Sequence, residues 1–463
     1  MNPFDTISPI DYRYYGNNKE MFEKLKDYLS ESAGIKYRLH VEETLVNVLA
    51  EKKLCSKAVA KEVEIACEQI TAADVYAEEE KTKHDIRALV NCIRAKVSDE
   101  AKPFVHLTAT SNDIISTAEA LRLKDAALNV VIPEMIRLEG ILIDLARNEK
   151  ATLQIGRTHG QHAEPITFGF AIAEFVARIG ERIAAIHNAA SNMRGKFSGA
   201  VGAYNASFLF FKDPEGFEEA VLRNLGLKPA SHSTQIVEPE FALDLYHAIS
   251  SAFGVIANLA DDMRHLQRSE IAEVAEEFKS EQVGSSTMPH KRNPINFENI
   301  KSMWKAFMPR MVTAYSDQIS EHQRDLTGSA SERFMIESIA SFVIAVDRLA
   351  NAMGRIKVDK NSLMRNFNMS KGRIVAEPLY LLLAYYGHPN AHDYVRKLTL
   401  EADKSGKDLG KVALADATLQ PYLAKFSKDQ MELLTNPEQY TGLAAKKTEE
   451  VCSQWERVIR RLS

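Results

Sequence analysis

Two stretches of this chain repeat apolar residues at alternating spacings of four and three. One holds Leu245, Ile249, Ala252, Ile256, Leu259, Met263 and Leu266; the other holds Met335, Ile339, Phe342, Val346, Leu349 and Met353. Spacings that average about 3.5 residues keep one seam on one side of a helix and suit bundle or coiled-coil packing. The first seam predicts a helix from about residue 238 to 279, roughly 60 Å long at 1.5 Å per residue. A third long segment runs from about 112 to 149. Thr110, Ser111 and Asn112 are good caps for its start, and Pro133 should kink it. Helices of this length exceed one compact domain, so the expected fold is all-α, with a central long-helix bundle shared between subunits. Glycine is sparse, 21 in 463 residues, and gathers at 156–169, 195–202 and 284. Three helical regions are expected: residues 1–108, the long-helix region 109–357, and 358–463. The last has shorter segments broken at Gly387-His388-Pro389, Gly406 and Pro421.

Charge narrows the partners. With 58 basic and 63 acidic residues the net charge is −5. This argues against a nucleic-acid polymer, which calls for a basic surplus, and leaves room for a small anion held by a few Arg and Lys. Cys55, Cys67, Cys92 and Cys452 lack metal or CxxC spacing and read as free thiols in a reducing compartment. No basic segment followed by an apolar one opens the chain. No run of about 18 apolar residues occurs; even Ser341 to Ala352 is broken by Asp347 and Arg348. No membrane association and a cytoplasmic location are expected.

Four polar, helix-breaking segments carry residue types that chemistry needs. Gly156-Arg157-Thr158-His159-Gly160-Gln161-His162-Ala163-Glu164-Pro165 holds two histidines, suited to acid–base work near neutral pH. The same residues suit a turn whose imidazoles bond to backbone. The spacing is poor for zinc, because metal His pairs sit on a helix face or join Cys or carboxylates at set intervals. Phe104 to Asp113 places hydroxyls at a helix start, where they can cap the helix or hold an anion. Gly284 to Pro294 combines Gly-Ser-Ser with His290, Lys291 and Arg292, and Pro294 is placed to open a helix whose N-terminus favours anions. It is not a phosphate-binding P-loop, and neither is Gly195-Lys196, because GxxxxGK[ST] is absent. Nor is there a GxSxG elbow. Finally, Arg324 and Arg333 flank hydroxyls before a helix, suiting a phosphate or carboxylate or a salt-bridged helix start.

Taken together these segments resemble the fumarase/aspartase superfamily, whose Gly-Ser-Ser-x-Met-Pro-x-Lys-x-Asn-Pro signature stands unbroken at residues 284–294. Within it, nearly the whole chain resembles the adenylosuccinate lyases. The likeness runs through Ser8-Pro9-Ile10-Asp11-Tyr12-Arg13-Tyr14, Lys83-His84-Asp85, Thr110-Ser111, Arg157-Thr158-His159-Gly160-Gln161, Thr234-Gln235 and Arg324-Asp325-Leu326-Thr327 with Ser329 and Arg333. The loop wording also resembles carboxymuconate cycloisomerases. Argininosuccinate lyases, which have non-catalytic lens crystallins among their relatives, are further alternatives. Arg13, Tyr14, Ser329 and Arg333 favour a nucleotide substrate.

The resemblance implies β-elimination of fumarate from a succinyl adduct of a purine nucleotide: adenylosuccinate to AMP, and SAICAR to AICAR. No hydride or electron moves, so neither cofactor nor metal is expected. It implies Ser285 as general base and His159 as general acid, with Lys291 and Asn293 stabilising the charge that builds on the carboxylate. A free Ser is too weak a base, so Lys291 and the following helix N-terminus are sources of its activation. Glu298 is implied as the carboxylate paired with the acid His, one turn into that helix. His84 would orient substrate, with Lys83 and Asp85 beside it. Arg13, Tyr14, Ser329 and Arg333 fall on the nucleotide and phosphate side; Thr110, Ser111, Thr158, Gln235 and Arg324 fall on the succinyl side. The implied assembly is a homotetramer whose sites draw residues from three chains. Two departures stand out. Glu321-His322-Gln323 precedes Arg324 where many relatives have a Trp-containing segment, and Ile236-Val237-Glu238-Pro239 matches only part of the family.

Overall fold

A computed structural model describes residues 7–16, 18–277, 287–288 and 290–462, apart from the side chains of Tyr15 and Phe22. A π-helical turn, Ile10–Gly16, is followed by five α-helices: α1 (Lys19–Leu29), α2 (Glu31–Glu51), α3 (Lys57–Glu68), α4 (Ala72–Thr82) and α5 (Asp85–Ala95). The bundle follows with α6 (Ser111–Ala126), α7 (Ile132–Asn148), α8 (Phe168–Ser191), α9 (Pro214–Asn224), α10 (Glu240–Leu266), α11 (Ile295–Phe307), α12 (Arg310–Ser316) and α13 (Ser331–Met353). Seven more complete it: α14 (Lys360–Ile374), α15 (Ala376–Tyr385), α16 (Ala391–Ser405), α17 (Leu409–Ala415), α18 (Gln420–Leu423), α19 (Lys428–Leu433) and α20 (Ala444–Leu462). The fold is helical, as the seams predict. Among the described residues strands form three two-stranded pairs: β1 (Leu153–Thr158) with β2 (Gln161–Thr167), β3 (Arg194–Gly195) with β4 (Lys228–Pro229), and β5 (Val274–Ala275) with β6 (Lys357–Val358).

Both seams are core. Leu245, Ile249, Ala252, Ile256, Leu259 and Met263 on α10 are buried, as is every seam residue from Met335 to Met353 on α13; Leu266 is partly buried against them. One apolar cluster runs from α1 through α13 and takes in Cys452, Trp455 and Ile459 of α20. The final helix thus returns to the bundle. Gly180 of α8 lets it approach, since a Cβ there would lie 2.3 Å from the Trp455 ring. A second cluster, from Val375 to Leu434, belongs to α15–α19 and the turns between them.

The expected 112–149 helix is interrupted by a π-helical turn, Ala127–Val131. It ends two residues before Pro133, at the start of α7. Proline has no N–H to donate back along the helix, and the wider turn absorbs that loss. The helix expected to reach residue 279 stops instead at Leu266. Ala272 adopts φ +54°, and the Glu273 N–H returns to the Leu266 carbonyl at 2.9 Å. Val274 then pairs with Val358. The reversal seats the fully buried Glu273 carboxylate among Gln154, Arg157 and Asn366. A continuing helix would forfeit those charge-assisted bonds.

α10 and α11 run antiparallel: Lys301 reaches Asp261, and Trp304 lies beside Gly254. At the far end, Tyr315 of α12 meets His247 at 2.8 Å. The bundle therefore has two ends, and they are chemically different.

Candidate active site

The end at which α6 and α10 begin gathers six of the polar positions read from the sequence: Thr110, Ser111, Gln235, Arg324, Ser329 and Arg333. Thr110 caps α6, and its N–H donates to Asp113 Oδ2 at 2.8 Å. Asn112 Nδ2 donates to Gln235 Oε1 at 3.2 Å, and the Gln235 N–H donates to the Gln323 carbonyl at 3.3 Å. That contact brings Arg324 to the same end. Arg324 is mostly buried, its Nη2 lies 3.8 Å from Glu332 Oε1, and its Nε makes no hydrogen bond among the described residues. Asp325 holds the turn before α13 by accepting from Thr327 Oγ1 (2.6 Å), Thr327 N (2.9 Å) and Glu321 N (2.8 Å). These bonds, led by the Thr327 hydroxyl, lower its carboxyl to about 2. Ser329 is half-buried and Arg333 exposed, at the foot of α13.

His106 joins this end four residues before Thr110, and the sequence reading gave it no role. Its Nδ1 lies 2.6 Å from Oε1 of Glu42, a fully buried carboxylate. Burial opposes charging of the ring, but the Glu42 charge outweighs it and the pKa lies above the usual histidine value. His106 lies in the turn that leads into α6, where the Ala109 N–H donates to its carbonyl at 3.3 Å. Its partner is 64 residues away, so no local signal marks the pair. Lys83, His84 and Asp85 form the α4–α5 corner. Lys83 is in the left-handed region (φ 53°), His84 caps α5 by accepting from Arg87 N at 3.3 Å, and Asp85 pairs with Arg38 at 3.1 Å.

The opposite end carries the hairpin and the described part of the signature loop. Thr158 pairs with Gln161 across a two-residue turn in which His159 (φ 55°) and Gly160 (φ 74°) are both left-handed. Such a turn matches the twist of paired strands, and it leaves His159 exposed at the tip. A bulge between Ile155 and Arg157 changes the register. Arg157 makes a two-pronged ion pair with Glu273, Nη2–Oε1 2.6 Å and Nη1–Oε2 3.2 Å. Gln154 and Asn366 each donate to the same carboxylate at 2.8 Å. His162 does not join His159: its Nδ1 meets Ser370 Oγ at 2.7 Å. Among the described residues no group of three or more His, Cys, Asp or Glu is placed to hold a metal ion.

Ser285 lies outside the described residues. Lys291 is exposed, its N–H bonded to the Met288 carbonyl at 3.0 Å. Asn293 is half-buried, and Glu298 is exposed in the first turn of α11. That helix start is anchored by Glu276, whose carboxylate accepts from the N–H groups of Asn296 (3.0 Å) and Phe297 (3.1 Å). Burial pushes the Glu276 pKa up in spite of those bonds. Arg13 and Tyr14, in a π-helical turn Ile10–Gly16, are at this end too. Tyr14 Oη accepts from Asn299 Nδ2 at 3.2 Å. They line a cavity of about 350 Å³ with Glu276, Asn296, Arg348 and Arg355.

The two groups of residues are thus held apart within one chain. α10 alone, 27 residues between the Gln235 end and the Glu273 end, spans roughly 40 Å. From Ser111 to the end of α7, just before the His159 hairpin, is on the order of 55 Å.

A family model described as lyase matches residues 12–307, and one described as adenylosuccinate lyase C-terminal matches residues 320–441. An adenylosuccinate lyase of Archaeoglobus fulgidus is 33% identical over 98% of this chain and 100% of its own length. That of Pyrococcus abyssi is 33% identical over 98% and 99%. Among solved structures, the 3-carboxy-cis,cis-muconate lactonizing enzyme of Pseudomonas putida matches with a TM-score of 0.80 at 22% identity, covering 97% of this chain and 99% of that one. A fumarate lyase from Mesorhizobium sp. BNC1 matches at 0.79 and 22%, covering 94% and 97%; at such identity these two speak for the fold. Over nearly its whole length, then, the chain belongs to the adenylosuccinate lyases, the purine-nucleotide-biosynthesis family within the fumarase/aspartase superfamily.

Proposed function

We propose that this chain eliminates fumarate from adenylosuccinate, and from SAICAR, in sites completed by neighbouring copies of itself in a cytoplasmic homotetramer. Ser285 takes the proton from the carbon beside a carboxylate. The electrons left behind spread into that carboxylate, where Lys291 and Asn293 stabilise the developing charge. His159 gives a proton to the departing nitrogen as the carbon–nitrogen bond breaks. Glu298, exposed one turn into α11, is available to pair with a His159 from another copy. Thr110, Ser111, Thr158, Gln235 and Arg324 hold the succinyl carboxylates, with His84, Lys83 and Asp85 at the same substrate. Arg13, Tyr14, Ser329 and Arg333 take the nucleotide and its phosphate.

The separation of the two ends carries the assembly part of this reading. A dicarboxylate spans a few ångströms, whereas roughly 40 Å of α10 divides Gln235 from the signature-loop end. A symmetric homo-oligomer that stacks one chain's α6 end on another chain's hairpin end removes that gap. The separate apolar cluster from Val375 to Leu434 supports a boundary near residue 357, and we retain 1–108 and 109–357 as the other two units.

Purified protein should release fumarate from adenylosuccinate without added metal, followed by ultraviolet absorbance. Ser285→Ala and His159→Ala should each keep the assembly and lose at least ~10²-fold in kcat, the usual worth of one acid or base. Near-normal turnover in either variant would remove that residue from its role.

A further inference from the structure

Lys196 and Asp113 form an ion pair in which both side chains are fully buried. We propose that this pair is a positioning device for the substrate: it fixes Thr110 and Ser111 against Gln235. The inference rests on the reading of those three residues as the succinyl-binding side. Neither Lys196 nor Asp113 has a place in the proposed chemistry, and neither is exposed to touch substrate.

The bonding closes a circuit. Asp113 Oδ2 accepts the Thr110 N–H at 2.8 Å, which sets the first turn of α6. Its other oxygen takes the Lys196 ammonium and the Gly199 N–H, the latter at 3.2 Å. The ammonium also donates to the Gly199 carbonyl at 3.0 Å. Thr117, one turn further along α6, locks the Lys196 backbone from both sides: its hydroxyl donates to Lys196 O (3.0 Å) and accepts from Lys196 N (3.1 Å). From Gly199 the chain turns to Gly202 (φ 76°), where a Cβ would lie 1.9 Å from the Ser233 carbonyl oxygen. Only glycine permits that approach. Ser198 and Ser233 share a hydrogen bond at 2.6 Å. Two residues beyond Ser233, Gln235 returns to α6 through Asn112. The loop between the two substrate-facing segments is therefore pinned at its middle by one ion pair.

An apolar pair of similar volume would hold these segments together at least as firmly, because desolvating two charges costs about what their attraction returns. What it would not do is accept the Thr110 and Gly199 N–H groups together. The Asp113 carboxylate does so with one oxygen for each: Oδ2 takes the Thr110 N–H and Oδ1 the Gly199 N–H, with the Lys196 ammonium on Oδ1 as well. The pair thus sets a geometry rather than a stability.

The test uses full-length, assembled protein and reads KM, kcat, inhibition by fumarate, inhibition by AMP, and Tm. The double variant Asp113→Asn/Lys196→Met leaves no unpaired charge in the core. It should keep its assembly and a near-normal Tm, with kcat/KM lower by about 10- to 100-fold, as a misplacement of about 1 Å produces. Fumarate inhibition should weaken in parallel and AMP inhibition should hold. Lys196→Gln, which keeps a donor for Asp113, is the second variant and should lie between wild type and double variant in fumarate inhibition. Wild-type KM and fumarate inhibition in the double variant, or in Lys196→Gln should the double variant not assemble, would overturn the inference; so would equal loss of AMP and fumarate inhibition, which marks a merely structural pair. Ser111→Ala separates this from the reading beneath it. If Ser111→Ala inhibits like wild type, the succinyl assignment falls and takes the inference with it. If Ser111→Ala weakens fumarate and the pair variants do not, only the pair's role falls.

Discussion

Two inactive variants should make active protein when mixed, provided that each site takes His159 from one copy and Arg324 from another. Within one chain these residues lie at opposite ends of the bundle. Arg324 is adjacent to Gln323, whose carbonyl accepts from Gln235, and His159 is two residues from Arg157, which is tied to Glu273 beyond the C-terminus of α10. The roughly 40 Å of α10 between them exceeds the reach of any side chain. His159→Ala and Arg324→Ala are both expected to be inactive alone. In an equal mixture whose subunits have been exchanged by mild denaturation and refolding, chains distribute at random. A site is then intact only when its His159 comes from the Arg324→Ala chain and its Arg324 from the His159→Ala chain. Random assortment in a symmetric homo-oligomer gives about one site in four, so the mixture should recover about 25% of wild-type activity. Fumarate release measures the recovery, and native mass spectrometry of differently tagged chains confirms that exchange took place. Exchanged but inactive mixtures would refute the shared-site geometry, since a site built from one chain can never be repaired by another.

Two further predictions concern buried carboxylates. Glu273→Ala strips the two-pronged partner from Arg157, which is itself largely buried; breaking such a pair costs about 3–5 kcal/mol. The urea midpoint and kcat should fall together because the same bonds hold the hairpin that carries His159, and a kcat equal to wild type would detach His159 placement from Glu273. Glu139 on α7 is fully buried, and neither of its carboxylate oxygens has a hydrogen-bond partner among the described residues. Burial raises its pKa well above the usual glutamate value, so the folded chain keeps a proton that the unfolded chain releases above about pH 4.3. Stability should then fall as pH rises from there toward the raised folded pKa, by up to ~1.4 kcal/mol per unit. Glu139→Gln should remove that slope and raise the Tm at neutral pH; calorimetric profiles of the same slope in both proteins would contradict it.

What the sequence showed and what it hid divide by how far apart the interacting residues are. The seams on α10 and α13 needed only local periodicity, because every partner of a seam residue is met by the same face of the same helix. Every seam residue is buried except Leu266, which is partly buried. The overrun of α10 has the opposite cause. Residues 267–277 carry on a helical pattern, but Glu273 is claimed by Arg157, 116 residues away, and Val274 by Val358. The hairpin at 153–167 escaped for a related reason. His159-Gly160 stands where Asn-Gly is the commoner turn signal, and the bulge at Gly156 breaks the two-residue alternation that marks a strand. The groups that hold the site share this property. His106 pairs with Glu42, and Lys196 with Asp113, across 64 and 83 residues; the sequence shows Lys196 only as a failed phosphate-loop lysine. Chemistry concentrates at helix ends, where free N–H groups and hydroxyls are adjacent in the chain, and so its residues can be read in short segments. Holding those ends in register needs charge from another helix, and a partner fixed by the fold leaves no mark at either position.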